Sequence, residues 1–264
     1  MASVLAMDPQ LHSELAPHTV YGPVPSRRYG VTLGINLSPQ GEKRCPLRCT
    51  YCQIGPERGP NRHVEFADLQ RLQLEVTHAV RTAPLPIAAW VLSGNGEATL
   101  HPEFPQAVEV LLQLRAQLAP QTPIVLLTSG TELGRPEILK ACGQLDEVAV
   151  KLDAGSQALY QRLNMPWQAL DGAQVPMWAA KLRNAIAQTM LVQGSVDNTL
   201  PEEIAAYLKL LQQMRPQRVD LYTLARPPIE QGLRPASAAA MQQVADQINQ
   251  LGLVVRVFAD GLDD

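Results

Sequence analysis

Long apolar runs are missing from these 264 residues. Stretches such as Ile124 to Leu127 are short and flanked by turn residues, so nothing approaches the ~20 apolar residues that cross a bilayer. Charge is scarce as well: 18% of residues are charged and the net charge is -3, while 46% are hydrophobic. That balance excludes a disordered chain too polar to bury a core. The first residues, MASVLAMDPQLHSELAP, lack a basic stretch and carry Asp8 and Glu14, so residues 1–20 read as a mobile leader rather than a signal peptide. There is no internal repeat, low-complexity tract or linker, and the 22 prolines are scattered, so residues 21–264 are expected to form one domain.

Cysteine is scarce too, and its distribution is the informative feature. Of four cysteines, three fall within eight positions, Cys45, Cys49 and Cys52. The distant Cys142 reads as a buried apolar thiol. An odd cluster plus one remote thiol is a poor disulfide framework, which points to a reducing, cytoplasmic compartment and to cysteines that bind metal.

From Tyr21 onward, short apolar runs alternate with segments of helical period, the pattern of β-α units around a parallel sheet. Strands are predicted at Val31 to Leu37, Ile87 to Ser93, Ile124 to Ser129, Glu147 to Asp153, Thr189 to Gly194 and Arg218 to Thr223, with Val254 to Phe258 as an edge strand. Leu69, Leu72, Val76 and Val80 make one helical stripe. Thr199 to Glu202 reads as a capping box with Pro201 in the first turn, followed by Ile204, Leu208 and Leu211 as the buried face. Ser237 caps a helix carrying Met241, Val244, Ile248 and Leu251, stopped by Gly252. Six or seven strands are too few for a complete eightfold barrel, so the expected fold is α/β, a partial (β/α)6 TIM-like barrel of parallel strands with its chemistry at the C-terminal strand ends.

Cys45, Cys49 and Cys52 lie in the loop after the first of these strands. Soft thiolates select iron-sulfur clusters, zinc or copper(I). Structural zinc wants four protein ligands; no second cysteine pair exists, and His63 or His101 would have to complete the site of a noncatalytic zinc or iron-sulfur module. Three thiolates suit a 4Fe-4S cluster with one iron open to a cofactor.

The spacing CxxxCxxC, with Tyr51 just before the last cysteine, resembles the signature of the radical S-adenosylmethionine (radical SAM) superfamily. The likeness extends to Gly22–Arg28 (GPVPSRR), Gly34 to Pro39, Leu92 to Pro102 (LSGNGEATLHP), Leu127 to Gly130, Lys151 to Gly155 (KLDAG) and Leu163 to Pro166. These blocks are similar to a small single-domain group related to the catalytic part of the wybutosine-forming tRNA enzyme. The resemblance implies an oxidoreductase or transferase with a 4Fe-4S cluster on Cys45, Cys49 and Cys52, which cleaves S-adenosylmethionine reductively to a 5'-deoxyadenosyl radical that abstracts hydrogen from a substrate.

It also implies the cofactor contacts. Gly94, Gly96 and Glu97 match the family's glycine-glutamate motif, with Asn95 in place of a glycine, and Glu97 would bind the methionine ammonium. Lys151 and Asp153 alternate toward one face of their strand. They would take the methionine carboxylate and the ribose hydroxyls, or else form a mutual ion pair. Thr128 and Ser129 end the third predicted strand and Gln193 the fifth, each offering hydrogen bonds, with Thr223 a weaker candidate. Tyr51 would place its ring beside the cluster and its backbone beside adenine, or serve as a packing aromatic. His101 reads as a loop histidine capping the helix of Glu103.

Between Arg27 and His63, seven basic residues (Arg27, Arg28, Lys43, Arg44, Arg48, Arg58, Arg62) face two acidic ones, Glu42 and Glu57, a local excess of five positive charges. A basic mouth would attract an anionic small-molecule or nucleoside substrate, or an acidic electron donor such as flavodoxin or ferredoxin. It could equally be a solvated loop. RNA enters by analogy with the tRNA enzyme, although no aromatic-rich or lysine-rich stripe accompanies the cluster.

Overall fold

The structure is a computed structural model and describes residues 15–16, 18–54, 65–225 and 230–259. Its sheet is ordered β1-β2-β3-β4-β5-β6-β7-β9. The strands are β1 (Val20–Ser26), β2 (Gly30–Ile35), β3 (Ala89–Leu92), β4 (Ile124–Thr128), β5 (Glu147–Lys151), β6 (Ala185–Gly194), β7 (Val219–Thr223), β8 (Leu233–Pro235) and β9 (Val255–Phe258). From β2 through β7 to β9 every neighbour is parallel, while β1 is antiparallel to β2 and β8 to the end of β6. This is the predicted curled half-barrel of mostly parallel strands, extended by a hairpin at one edge.

One face of the sheet carries the main core. Leu33, Ile35, Trp90, Leu92, Ile124, Leu126, Val148 and Val150 share a cluster with Leu72 and Val76 of α1 (Leu69–Thr82) and with Phe104, Val108 and Leu111 of α2 (Phe104–Leu118). Strands read as unbroken apolar runs because both faces are covered. The other, concave face holds a smaller cluster of Ala89, Val91 and Val125, with Tyr29 and Leu127 against it. The remaining helices are α3 (Pro136–Cys142), α4 (Gln157–Leu163), α5 (Gln174–Ala179), α6 (Pro201–Met214) and α7 (Ala238–Gln250). Cys142 is fully buried among the core residues of α3, as expected of an apolar thiol.

The α1 stripe is as predicted, and Ser237 caps α7 by accepting from the Ala240 N–H, with Gly252 following in the left-handed region at φ 76°. The capping box before α6 is not formed. Pro201 opens the helix and holds Leu200 extended as the N-cap, while the Thr199 hydroxyl donates back to Asp197 at 2.7 Å. The leader prediction ends too late: Val20 already starts β1, Thr19 is buried, and Ala16 exchanges hydrogen bonds with the Asn95 side chain at 2.6 and 2.8 Å. Residues 1–14 and 17 lie outside the described residues. No helix among the described residues is long and apolar enough to cross a membrane.

Candidate active site

The three clustered cysteines lie on a strap that leaves β2 and crosses the C-terminal ends of the strands. It is fastened at both ends by backbone. On the β3 side the Arg44 N–H donates to Asn95 O and the Glu97 N–H to Arg44 O, both at 2.8 Å. This pairing requires glycine at position 96: a Cβ there would stand 1.8 Å from Arg44 O, and φ is +146°. The glycines of this segment thus admit protein backbone and the Asn36 side chain, whose Oδ1 would lie 2.5 Å from a Cβ on Gly94.

On the far side, Leu47 bridges Pro166. The N–H groups of Arg48, Thr50 and Trp167 bond Asn164 O, Leu163 O and Pro46 O at 3.0, 2.9 and 3.0 Å. The Arg48 guanidinium stacks 4.3 Å above the Trp167 ring. Arg48 therefore braces the strap, Arg27 reaches Thr223 O at 3.4 Å, and Lys43 donates to Cys52 Sγ at 3.2 Å. Arg58, Arg62 and His63 lie outside the described residues.

Each end of the strap meets a buried carboxylate. Glu97 accepts at Oε1 from the Thr99 N–H at 3.2 Å and from the hydroxyls of Thr99 and Thr128 at 2.7 Å each. Its Oε2 accepts from the Ser129 N–H at 2.6 Å. The predicted Glu97, Thr128 and Ser129 are thus one unit, and all four donors are neutral. Asp153 instead accepts from the Tyr51 hydroxyl, from Asn164 Nδ2 at 2.8 Å and from the Met190 N–H at 2.9 Å. Lys151 Nζ lies 3.6 Å from the same carboxylate and donates to the Tyr51 hydroxyl at 2.6 Å. The mutual ion pair weighed from the sequence is therefore present, closed by Tyr51. Burial opposes the Lys151 charge, but Asp153, Tyr222 and the cysteines outweigh it and raise its pKa. Burial and then Asp153 push the Tyr51 phenol well above its ordinary value.

All four cysteines are free, and two of the strap thiols already receive donors: Lys43 Nζ on Cys52 Sγ at 3.2 Å and Asn164 Nδ2 on Cys49 Sγ at 3.3 Å. Burial raises the pKa of Cys45 and Cys49, which favours the neutral thiols. Among the described residues no three His, Cys, Asp or Glu side chains are placed to share a single metal ion. Asn164 spends both amide N–H groups on Cys49 and Asp153, while its Oδ1 is buried with no partner. The sequence marks Asn164 only as part of the Leu163 to Pro166 block.

Some predicted residues stay apart. Gln193 bonds the Thr199 hydroxyl at 3.1 Å and accepts from the Ser237 N–H at 3.3 Å, groups that introduce α6 and α7 on the helix side of the sheet. Thr223 is likewise internal, donating to Leu191 O and accepting from the Ala236 N–H. His101 accepts from the Glu103 N–H at 3.0 Å and bonds Ala67 O at 2.8 Å, the capping role expected of it.

Comparison with known proteins places this arrangement. Residues 43–174, from the strap through both carboxylates, match the Radical SAM superfamily. A UPF0026 protein of Helicobacter pylori is 31% identical over 220 residues, which cover 80% of this chain and 68% of that protein. A radical SAM methyltransferase from Sphaerobacter thermophilus shares the fold with TM-score 0.61 at 16% identity, over 86% of this chain and 66% of that one. TYW1 with a lysine-pyruvate adduct bound superposes with TM-score 0.61 at 10% identity, over 83% of this chain and 73% of that one. With the matched segment covering the cysteine strap and both flanking carboxylates, the chain belongs to the radical SAM superfamily, a superfamily of enzymes.

Proposed function

We propose that the protein is a radical SAM enzyme whose strap holds a 4Fe-4S cluster through Cys45, Cys49 and Cys52, with S-adenosylmethionine bound between Glu97 and the Lys151–Asp153 pair. When bound, this cofactor pair supplies a 5'-deoxyadenosyl radical that abstracts hydrogen from a substrate. The carrying observation is that one short strap presents three free thiols and is pinned between two buried carboxylates of different character.

The residues fit such a group. Lys43 and Asn164 donate to two of the sulfurs, as hydrogen bonds do around clusters. Glu97 is a buried carboxylate with no cationic partner among the described residues, which suits a ligand ammonium. Lys151 would turn toward the ligand carboxylate, and Asp153, with Tyr51 and Asn164 beside it, would orient the ribose hydroxyls. Thr128, Ser129, Gly94 and Gly96 shape the Glu97 side. The enclosing strap would keep water from the reacting atoms. A zinc module would need a fourth protein ligand, and His101 is engaged with Ala67 O and the Glu103 N–H instead. The substrate is a small molecule or nucleoside, and the electron donor a flavodoxin or ferredoxin. The free cysteines accord with the reducing cytoplasm.

Anaerobic reconstitution with iron and sulfide tests this reading. The expected result is a brown protein with broad visible absorption, bleached by dithionite, that forms 5'-deoxyadenosine from S-adenosylmethionine. A colourless protein holding stoichiometric zinc would overturn it.

A further inference from the structure

The turn between β1 and β2 lies outside the site described above, and it delivers a cation into the concave side of the sheet. Ser26 Oγ accepts from the N–H groups of Arg28 and Tyr29, both at 3.3 Å, which fixes the turn. From there Arg28 Nη1 donates to Gln188 Oε1 on β6 at 2.8 Å. Its guanidinium carbon lies 5.0 Å from the Tyr222 ring centroid on β7 and 5.6 Å from that of Tyr29. In the sheet register Gln188 pairs with Lys151, and Tyr222 with Met190, whose N–H bonds Asp153. The guanidinium therefore sits on the inner surface at the level of Lys151.

A guanidinium has five N–H donors. Arg28 uses one of them on protein, and it has no ion pair among the described residues. The neighbouring carboxylates are engaged elsewhere: Glu147 takes both Arg218 Nη groups at 2.7 and 2.8 Å, and Asp220 takes Arg218 Nε at 2.8 Å. Gln188 is locked by its own bond to Ala149 O at 2.8 Å, so it holds Arg28 from one side only. None of the remaining Arg28 N–H groups is a sealed, unpartnered donor, whereas the adjacent Tyr29 hydroxyl is buried with no partner. The Glu147, Asp220 and Arg218 group carries one negative charge in excess, which Arg28 offsets through space without giving up any of its remaining N–H groups. An arginine held between aromatic faces with a free polar edge suits planar, bidentate recognition of an oxyanion.

We propose that Arg28 anchors a carboxylate or phosphate of the substrate inside the curl of the sheet, beside the cofactor site. The word substrate rests on the function proposed above; the anion binding does not.

Saturation-transfer NMR on the full chain, before and after cluster reconstitution, tests it with acetate and methyl phosphate as probes. Wild type is expected to respond, acetate marking a carboxylate site and methyl phosphate a phosphate site. Arg28→Gln is expected to weaken that response ~10-fold or more, the loss of a charge-assisted contact. Gln188→Glu, which brings a carboxylate to Arg28 without removing it, is expected to do the same, and Arg28→Lys to recover part. Binding by both R28Q and Q188E within about two-fold of wild type, or no response to either probe in either form of the wild type, overturns the proposal. Visible absorption of the same samples reads the cluster separately. Arg28-dependent anion binding in a protein that takes no cluster keeps this inference and removes the cofactor reading; a loaded cluster without anion binding does the reverse.

Discussion

Glu97 and Asp153 stand at opposite ends of the same strap and are almost equally buried, at 2% and 4% exposure, yet the fold treats them differently. Asp153 is compensated within the chain, by Lys151 and the Tyr51 hydroxyl between them. Glu97 has only neutral donors, four of them, and no cation among the described residues. Burying a carboxylate without a counter-charge is costly, so the two sides carry different loads in the empty protein. Asp153 has its counter-charge within the chain, and Glu97 has none among the described residues.

Removing the frame that both sides share should have the largest effect. Gly96→Ala puts a Cβ 1.8 Å from Arg44 O at a φ of +146°, which is expected to cost about 3 kcal/mol in denaturant unfolding. The same variant should fail to retain iron after reconstitution; normal stability would show that the strap is not fixed there.

Next comes the compensated carboxylate. Asp153→Asn leaves the Lys151 charge without its partner, and because that side chain is 19% exposed the expected loss is about 2 kcal/mol rather than the full value for a sealed pair. Glu97→Gln removes a charge that has no counter-charge among the described residues, but it sets an amide NH2 against the Ser129 N–H that Oε2 accepts, so without ligand it should cost about 1 kcal/mol, less than Asp153→Asn. Its larger cost should appear with ligand, as a ~10–100-fold weaker affinity for S-adenosylmethionine in an equilibrium titration. Equal destabilisation by the two substitutions would erase the distinction between the sides.

The smallest effect is on pH dependence. Burial lowers the His101 pKa, so the folded state binds fewer protons than the unfolded chain. Stability from this group is present above the ordinary histidine value near 6.5 and is lost as pH falls through the folded pKa. Lys151 shifts upward, so its contribution is intact below its unfolded pKa of roughly 10.4 and is lost only in strong alkali. Melting temperatures between pH 7 and pH 5 should fall less steeply in His101→Gln than in wild type; identical slopes would exclude the histidine.

The parallel sheet was legible because each central strand is an apolar run bounded by turn residues. β1 was hidden by Pro23 and Pro25, which an edge strand accepts but which break the look of one in sequence. β8 is three residues long and has no pattern to read. The cysteines stood out by their spacing and Thr128, Ser129, Lys151 and Asp153 by their places at strand ends; Glu97 was marked by the family resemblance, and the structure sets it against Thr128 and Ser129. Gln193 misled because a strand end names a level but not a face, and its side chain turns to the helices. Asn164 and Arg28 could not be assigned contacts from sequence. The Asn164 contact with Cys49 spans 115 residues and the Arg28 contact with Gln188 spans 160, and only the curl of the sheet and the crossing of the strap bring them together.

The most direct test is the electron paramagnetic resonance spectrum of the reconstituted, dithionite-reduced protein, recorded before and after adding S-adenosylmethionine. The proposed cluster on Cys45, Cys49 and Cys52, with Glu97 beside it, predicts a signal whose g-values change when the cofactor is added in wild type and change far less in Glu97→Gln. A signal identical with and without S-adenosylmethionine, or no cluster signal from fully folded protein, would contradict it.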